Sequence, residues 1–265
     1  MVTSRFSIVV ASNDAESLSR NLMASPMVAG GDVPVHVERG ASSTAKAYNA
    51  GLDATDAPIV IFAHQDVYFP PGWETQLERA IAEVEASDPD WALLAPFGMT
   101  KGGEHIGRVW TTSLSAEIGR PVTAPEAAET FDELVIVLRR ASGIRFDDAL
   151  PGWHLYGTDI VQTAKAAGKG AYVVHLPLVH NDKFYAQLGR DFATPYHYVR
   201  RKWRKALPLR TPVLWIRWHG LDLPWYELKS WRSVRKRNPH AGDAKADPRV
   251  YSAQCGWESG SNAGI

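Results

Sequence analysis

The sequence predicts an α/β fold in which a mainly parallel sheet is flanked by helices. Several short runs rich in β-branched residues, such as residues 57–62, have no polar face, and this is typical of strands that helices cover on both sides. Segments with helical spacing follow the early runs, and strands that alternate with helices predict a parallel sheet. The chain has 265 residues, 45% hydrophobic and 22% charged, and this composition excludes wholesale disorder.

The elements can be placed in chain order from these patterns. The short polar side chains of Ser12, Asn13 and Asp14 follow the first apolar run and predict a helix N-terminus there. Small residues in the second predicted helix, such as Ala47 and Gly51, allow close approach to a neighbouring element or ligand. The predicted strands are residues 6–11, 33–38, 57–62, 91–97, 134–139 and 171–176. The predicted helices are residues 15–23, 43–53, 73–86 and 156–167. Residues 98–130 show no clear period and predict an irregular connection.

The character of the chain changes near residue 184. Residues 196–240 contain 12 Lys and Arg against only Asp222 and Glu227, and they hold five of the ten tryptophans. This pattern, broken by prolines, predicts a basic, Trp-rich helical extension over residues 186–240 that meets an anionic or amphipathic partner. Residues 241–265 predict a polar tail, with partial disorder from residue 238 onward.

The cysteine count and the hydropathy pattern bear on the compartment. Cys255 is the only cysteine, so the chain can form no intramolecular disulfide and no cysteine-based zinc cluster. No stretch of about 18 uninterrupted apolar residues exists, and the first apolar run is too short for a signal-peptide core. The sequence therefore predicts a cytoplasmic protein, with residues 196–240 as the surface for peripheral contact with a membrane.

A lone carboxylate stands at the end of the third predicted strand. His64, Gln65 and Asp66 follow the apolar run directly and precede a turn that contains two prolines and a glycine. Open α/β sheets bind ligands beyond the carboxyl ends of their strands, so the position favours a ligand site. The alternative is that Asp66 only caps the turn.

The order and spacing of several short motifs resemble the family 2 glycosyltransferases, which have the nucleotide-diphosphosugar-binding fold called GT-A, and within them the streptomycin-biosynthesis-like branch. The resemblance spans residues 5–185. The motifs are Ile8-Val9-Val10-Ala11-Ser12, Ala47-Tyr48-Asn49-Ala50-Gly51, His64-Gln65-Asp66-Val67-Tyr68-Phe69, Phe146-Asp147-Asp148 and Tyr156-Gly157-Thr158-Asp159-Ile160, followed by His180.

The resemblance implies a metal site. In that family the last carboxylate of an Asp-x-Asp-like motif binds Mg²⁺ or Mn²⁺ at the donor diphosphate, and Asp66 matches it. His64 stands at the first acidic position, and this departure favours Mn²⁺, which accepts imidazole ligands. His180 follows the last strand, where related enzymes place a histidine that reaches the metal or the diphosphate.

The resemblance also implies a donor site and a base. Asp159 aligns with the family's catalytic base, although Thr158 replaces the usual neighbouring glutamate. Asp147 and Asp148 are expected to shape the acceptor loop. The residues expected to bind the nucleotide-diphosphate sugar are Ser12, Asn13, Asp14, Glu38, Asn49 and Gln65. The donor base stays open among uridine, guanosine and thymidine.

These features predict a metal-dependent, inverting glycosyltransferase whose catalytic domain covers residues 1–185. Its acceptor would be a hydroxyl of a glycan, lipid carrier or small molecule, as in polysaccharide biosynthesis. One alternative is a nucleotidyltransferase, although no Gly-rich, lysine-bearing phosphate loop follows the first strand. Another is a binding module with a decayed metal motif. No nucleic-acid motif accompanies the basic segment, so a nucleic acid is not the expected partner.

Overall fold

The structure is a computed structural model that describes residues 4–183, 190–233 and 243–258. The strands in these ranges are β1 (Phe6–Ala11), β2 (Val35–Glu38), β3 (Ile59–Ala63), β4 (Val67–Tyr68), β5 (Leu93–Ala95), β6 (Phe97–Met99), β7 (His105–Gly107), β8 (Val109–Thr111), β9 (Ala116–Ile118), β10 (Glu126–Ala127), β11 (Thr130–Phe131), β12 (Val135–Arg139), β13 (Ala171–Val173), β14 (Leu178–His180), β15 (Leu209–Arg210) and β16 (Trp215–Ile216). The α-helices are α1 (Ala15–Arg20), α2 (Pro26–Ala29), α3 (Thr44–Asp53), α4 (Trp73–Ser87), α5 (Tyr156–Ala166), α6 (Ala193–Lys202), α7 (Asp222–Ser233) and α8 (Pro248–Gln254).

A seven-stranded sheet in the order β10-β13-β5-β12-β3-β1-β2 forms the centre of the fold. β1 is parallel to β2 and β3, and β5 is parallel to β13, whereas β12 is antiparallel to both of its neighbours. β10 is antiparallel to β13 at the edge. Five of the seven strands therefore run in one direction, which confirms the predicted α/β class.

Alternate residues of each central strand enter two separate hydrophobic clusters. In β1, Val9 packs with residues of α3 and α5, whereas Ile8 and Val10 pack with residues of α1 and α4. Both faces of the strand are thus covered, which explains why the apolar runs have no polar side. Gly51 of α3 permits the close helix–strand approach, because a Cβ there would lie 2.2 Å from Val9 Cγ1.

Residues 98–130 differ from the irregular connection that the sequence predicts. They contain several two- or three-residue strands, and these form parts of two small sheets besides β10 at the edge of the central sheet. Strands this short contain too few residues to show a period of two. Gly107 has a φ of +113°, and a Cβ there would lie 2.0 Å from Pro96 O, so glycine marks a tight backbone contact.

A four-stranded sheet in the order β4-β14-β8-β9 lies at the carboxyl end of β3. β4 begins at Val67, one residue after Asp66, and pairs antiparallel with β14, so that His180 lies opposite Val67. The backbone N–H of Asn181 donates to Asp66 O at 2.8 Å. This pairing brings the end of β14 beside the end of β3, although the two segments are more than 100 residues apart in the chain.

The basic extension packs on the same core as α3 and α5. Tyr196 and Val199 of α6, Ile216 of β16 and Leu223 of α7 all belong to that hydrophobic cluster. The division of the chain at residues 185 and 240 stays a prediction. None of the described helices is long and apolar enough to cross a bilayer.

The last described segment, residues 243–258, corrects the expectation of a disordered tail for this part of the chain. It contains α8, and Trp257 is buried in a small cluster with Tyr68, Trp110 and Val179. Trp257, together with Tyr251 stacked on Trp110, thus anchors a segment whose composition is otherwise that of a polar tail. Residues 259–265 lie outside the described residues.

Candidate metal centre and donor pocket

Three side chains with metal-ligating atoms meet at the carboxyl edge of the central sheet. β3 ends at Ala63, and the backbone N–H of His64 donates to Leu134 O at 2.9 Å, so His64 leaves the sheet beside the start of β12. Asp66 follows two residues later, and the β4–β14 pairing adds His180. One ligand atom from each of these side chains lies within 4.8 Å of the others.

The carboxylate of Asp66 stands between the two imidazoles. Its Oδ1 lies 3.5 Å from His180 Nε2 and 3.9 Å from His64 Nδ1. This Oδ1 is buried and has no hydrogen-bond partner among the described residues. A buried carboxylate oxygen needs a compensating positive charge, and either a bound cation or a protonated His180 at 3.5 Å would supply it.

The contacts of the Tyr156 hydroxyl indicate which ring nitrogen of His64 carries the proton. It lies 2.7 Å from His64 Nε2 and donates to the backbone O of Glu133, also at 2.7 Å. A phenolic hydroxyl has one hydrogen and a carbonyl can only accept, so Nε2 of His64 must carry the proton of this contact. The lone pair of Nδ1, which faces Asp66, is then free to bind a metal.

The three side chains of this cluster have different charge states. Burial lowers the pKa of His64, which keeps that imidazole neutral. Burial also opposes protonation of His180, but the charge of Asp66 outweighs it and raises the pKa of His180 to about 9. For Asp66, burial favours the neutral acid, yet His180 and His64 hold the pKa of the carboxyl well below its usual range. Asp66 is therefore an anion, as a carboxylate ligand must be, whereas His180 would release its proton when its Nε2 binds a metal.

Gln65 ties the loop after β3 to the loop after β1. Its Oε1 accepts from Ser12 Oγ at 2.8 Å, from the Asn13 N–H at 3.1 Å and from the Asp14 N–H at 3.0 Å. Its Nε2 donates to Asn13 Oδ1 at 2.8 Å. Four of the residues expected at the donor site thus form one hydrogen-bonded unit beside Asp66.

A cavity of about 490 Å³ opens next to this unit. Asp66 forms part of its wall, so the candidate metal ligands and the cavity share a boundary. Three cationic side chains, Arg20, Lys183 and Lys245, line it together with the acidic Asp14 and Glu16, which pair with Lys183 and Arg20. The complete lining is Asn13, Asp14, Ala15, Glu16, Ser17, Arg20, Gln65, Asp66, Asn181, Lys183, Ala244 and Lys245. Its size and polar lining suit a charged small molecule.

Two residues expected at the donor site have other partners. Glu38 Oε1 lies 2.6 Å from His36 Nε2, while its backbone O accepts from the Ser12 N–H. Asn49 is buried in α3, where its amide donates to Phe146 O and Asp148 Oδ1 and accepts from the Phe146 N–H. Asn49 therefore holds the turn of residues 146–148, and it is not among the residues that line the cavity.

Asp159 lies in the first turn of α5, but α6 covers its carboxylate. Lys202 Nζ lies 2.8 Å from Asp159 Oδ2, and Trp203 Nε1 donates to Asp159 Oδ1 at 2.6 Å. Lys202 also lies 2.7 Å from Asp147 Oδ2, which accepts from the Tyr198 hydroxyl as well. Burial raises the pKa of Asp159, and Lys202 and Trp203 offset only part of this effect. We call Tyr198, Lys202 and Trp203 the α6 latch.

A second group of titratable side chains lies close to the candidate metal centre. His154 Nδ1 is 3.9 Å from Glu133 Oε2, and His154 Nε2 is 3.7 Å from Asp191 Oδ2. Burial opposes protonation of this imidazole, but Glu133 outweighs it and raises the pKa of His154. The next residue, Leu155, is buried with a φ of +65°, a strained conformation for a branched side chain that is typical of functional sites.

Sequence reasoning missed Tyr156 as a partner of His64, the His154–Glu133 pair and all three cations of the cavity. Lys183 follows His180 closely, so the polar run after the last strand was a usable signal. Lys245 carried no such signal, because it reaches the cavity only through the packing of residues 243–258.

Comparisons with known proteins agree with this architecture. No family model matches the chain. A protein of Fuscovulum blasticum described as ATP synthase subunits region ORF 6 is 27% identical over 179 residues, which cover 64% of this chain and 69% of that protein. The structure of GalNAc-T7 with UDP, GalNAc and Mn²⁺ matches 96% of this chain with a TM-score of 0.53 and 12% identity. The mannosyltransferase PcManGT from Pyrobaculum calidifontis, in complex with GDP-Man and Mn²⁺, matches 96% with a TM-score of 0.45 and 13% identity.

The similarity to GalNAc-T7 concerns the fold. The chain spans 58% of the length of the GalNAc-T7 structure and has the same GT-A type of α/β architecture. In this chain, that architecture carries a His64, Asp66 and His180 cluster beside a polar, cation-lined cavity.

Proposed function

We propose that this protein is a metal-dependent, inverting glycosyltransferase that moves a sugar from a nucleotide-diphosphate donor to a hydroxyl acceptor. The observation that carries the proposal is the buried Asp66 Oδ1, which has no hydrogen bond and lies between two imidazoles on the wall of a polar cavity. GalNAc-T7, which shares the fold, was solved with UDP and Mn²⁺, and this supports the same classes of ligand here. The acceptor belongs to a glycan, a lipid carrier or a small molecule.

The proposed metal ligands are His64 Nδ1, Asp66 Oδ1 and His180 Nε2. When bound, Mn²⁺ or Mg²⁺ would neutralise charge on the leaving diphosphate. Two imidazoles with one carboxylate favour Mn²⁺, because Mg²⁺ prefers a shell of oxygen ligands. Tyr156 orients His64 for this role by holding the proton on the far nitrogen.

The proposed donor site is the cavity beside this cluster. Lys183, Lys245 and Arg20 attract the diphosphate, and the Ser12, Asn13, Asp14 and Gln65 unit forms a fixed wall for the nucleoside. Lys183 Nζ lies 3.3 Å from Asp14 Oδ2, so a phosphate would compete with this exposed ion pair for the ammonium group. Glu38 contributes through its backbone O, which accepts from the Ser12 N–H. Asn49 contributes by holding the backbone of Phe146.

The base of an inverting transfer takes the proton of the acceptor hydroxyl while the hydroxyl oxygen bonds to the anomeric carbon and the diphosphate leaves. Asp159 remains the proposed base. Since the α6 latch binds both of its oxygens, this role requires Lys202 and Trp203 to withdraw when the acceptor binds. His154 is the competing candidate, because its side chain is 31% exposed and lies between two carboxylates that would stabilise an imidazolium.

The proposal is tested by calorimetric titration of the protein with UDP, GDP and dTDP, in Mn²⁺ and in EDTA. We expect one nucleotide to bind with Mn²⁺ and to bind about tenfold or more weakly in EDTA, which corresponds to about 1.4 kcal/mol. Asp66→Ala should cause the same loss. Free Mn²⁺, followed by its EPR signal without nucleotide, reports the metal site separately.

Asp53→Ala is the matched control, since this exposed aspartate pairs with Arg145 on the surface and does not line the cavity. It should bind like the wild type. Absence of binding for all three nucleotides, or equal binding by Asp66→Ala, would contradict the proposal. Nucleotide binding that ignores Mn²⁺ and Asp66 would favour the binding module instead.

A further inference from the structure

The outer face of α7 and the turn before it present large apolar side chains to solvent. Trp218 is 80% exposed, Leu221 65%, Trp225 68% and Leu228 44%. Trp225 and Leu228 are three residues apart on one face of α7, and Trp218 and Leu221 lie in the turn that precedes the helix. We call these four residues the Trp stripe. Large apolar side chains that are exposed together on a protein surface mark an interaction site.

The opposite face of α7 packs against the hydrophobic core. Leu223 is buried in the core cluster, and Tyr226 packs partly buried against that cluster. The turn before α7 is held as well, because Arg200 Nη1 donates to Trp218 O at 2.8 Å. The Trp stripe is therefore fixed in place with its side chains outward.

Cationic side chains surround this surface. Arg200 is bound to the turn of Trp218, so the basic C-terminal end of α6 lies beside the Trp stripe. Arg201, Arg204 and Lys205 at that end are exposed. Of the two acidic residues in this segment, Asp222 is occupied by an ion pair with Arg217. The surface thus combines tryptophan and leucine with excess positive charge.

We propose that the Trp stripe docks on an anionic lipid bilayer, with its apolar side chains in the headgroup region and the cations at the end of α6 against lipid phosphates. Tryptophan prefers this interface because its ring is apolar and its N–H is polar. Amphipathic helices with a basic rim bind membranes by the same combination of apolar burial and charge. The inference rests on this surface alone and does not depend on the proposed donor site.

Flotation of the whole protein with lipid vesicles tests the inference. We expect binding to vesicles of phosphatidylcholine with phosphatidylglycerol and little binding to phosphatidylcholine alone. The double variant Leu221→Ser, Trp225→Ser should lose about tenfold or more in vesicle partition, because it removes two of the four exposed apolar side chains. Added salt should weaken wild-type binding without abolishing it.

A double variant at two other exposed apolar residues, Leu114→Ser and Val250→Ser, is the matched control and should float like the wild type. Circular dichroism and urea unfolding check that both variants stay folded. The inference is overturned if anionic vesicles do not bind, or if the Trp stripe variant binds as well as the control.

Two further outcomes would assign the surface to another occupant and overturn the inference. Sedimentation equilibrium without lipid would show a dimer that the Trp stripe variant cannot form, if the occupant were a second copy. A single-stranded oligonucleotide bound through the same residues, in the absence of vesicle binding, would identify a nucleic-acid surface.

Discussion

The Tyr156 hydroxyl links three parts of the candidate centre at the scale of single atoms. It contacts His64 on one side and the backbone of Glu133 on the other, and Glu133 in turn faces His154. Because the hydroxyl hydrogen is committed to a carbonyl, His64 presents an unprotonated Nδ1 toward Asp66. One buried phenol thus decides which nitrogen of a candidate ligand is available.

Tyr156→Phe should therefore weaken Mn²⁺ binding while leaving the protein folded. The expected loss of metal affinity is about 10- to 100-fold, as is usual when the partner of a metal-binding histidine is removed. Tyr196→Phe is the matched control, since Tyr196 is equally buried in the same hydrophobic cluster but belongs to α6, where its ring contacts His197. Mn²⁺ EPR titration measures both, and equal affinities would contradict the role of Tyr156.

At the scale of residues, the sequence predicts those positions that depend only on the neighbouring residues in the chain. Asp66 and His64 follow a strand directly, and His180 ends one, so their place at the edge of the sheet could be inferred from the chain. Tyr156 could not, because its direction depends on the left-handed conformation of Leu155 before α5. The partners of Asn49 lie almost 100 residues away and depend on packing that no local pattern records.

At the scale of elements, strands and helices with a full repeat were predicted within a few residues. The close contact of α3 with β1 at Gly51 agrees with the small residues of that helix. The short strands between residues 97 and 131 were missed, because pairs of two or three residues depend on their partners rather than on their own pattern. α6 was predicted as part of a basic extension, but its latch over Asp159 and Asp147 was not.

The α6 latch places one lysine between two carboxylates with opposite pKa shifts. Burial raises the pKa of Asp159 in spite of Lys202, and the negative charge of Asp147 adds to this rise. For Asp147, burial is outweighed by the hydrogen bonds from Lys202 and Tyr198, and its pKa is lowered. A raised acid pKa makes the folded state lose stability as pH rises from the unfolded value through the folded one. A lowered pKa makes it lose stability as pH falls.

Asp159→Asn and Asp147→Asn should therefore respond to pH in opposite directions. The stability advantage of the wild type over Asp159→Asn should shrink as pH rises above about 4, the ordinary value for an aspartate. Its advantage over Asp147→Asn should instead shrink as pH falls below about 4. Urea unfolding of the three proteins across this range measures both slopes. Parallel slopes for the two variants would contradict the assigned environments.

At the scale of the whole molecule, residues 243–258 close the fold against the sheet that carries His180. Asn181 Nδ2 donates to Ala246 O at 3.1 Å, and Trp257 packs between Trp110 and Val179. Ala244 and Lys245 then line the cavity beside Asp66. A segment from the end of the chain thus completes a pocket that begins at its first strand.

Trp257→Ala should destabilise the protein by about 3–5 kcal/mol, the usual cost of removing a buried tryptophan. It should also weaken nucleotide binding, since the same segment supplies Lys245. Trp225→Ala is the control, because Trp225 is mostly exposed and its loss should change the free energy of unfolding by no more than about 0.5 kcal/mol. Urea unfolding compares them, and equal stabilities would show that the segment is not anchored through Trp257.

The Gln65 bridge between the loops after β1 and β3 has a consequence for the thermodynamics of ligand binding. Ser12, Asn13, Asp14 and Gln65 already hold one arrangement through four hydrogen bonds. Their rotational freedom is lost when the chain folds, so a ligand that enters the cavity does not have to order them again. The loss of side-chain entropy on binding then comes mainly from long, exposed side chains such as Lys183. The residues that form the wall of the cavity contribute little to it.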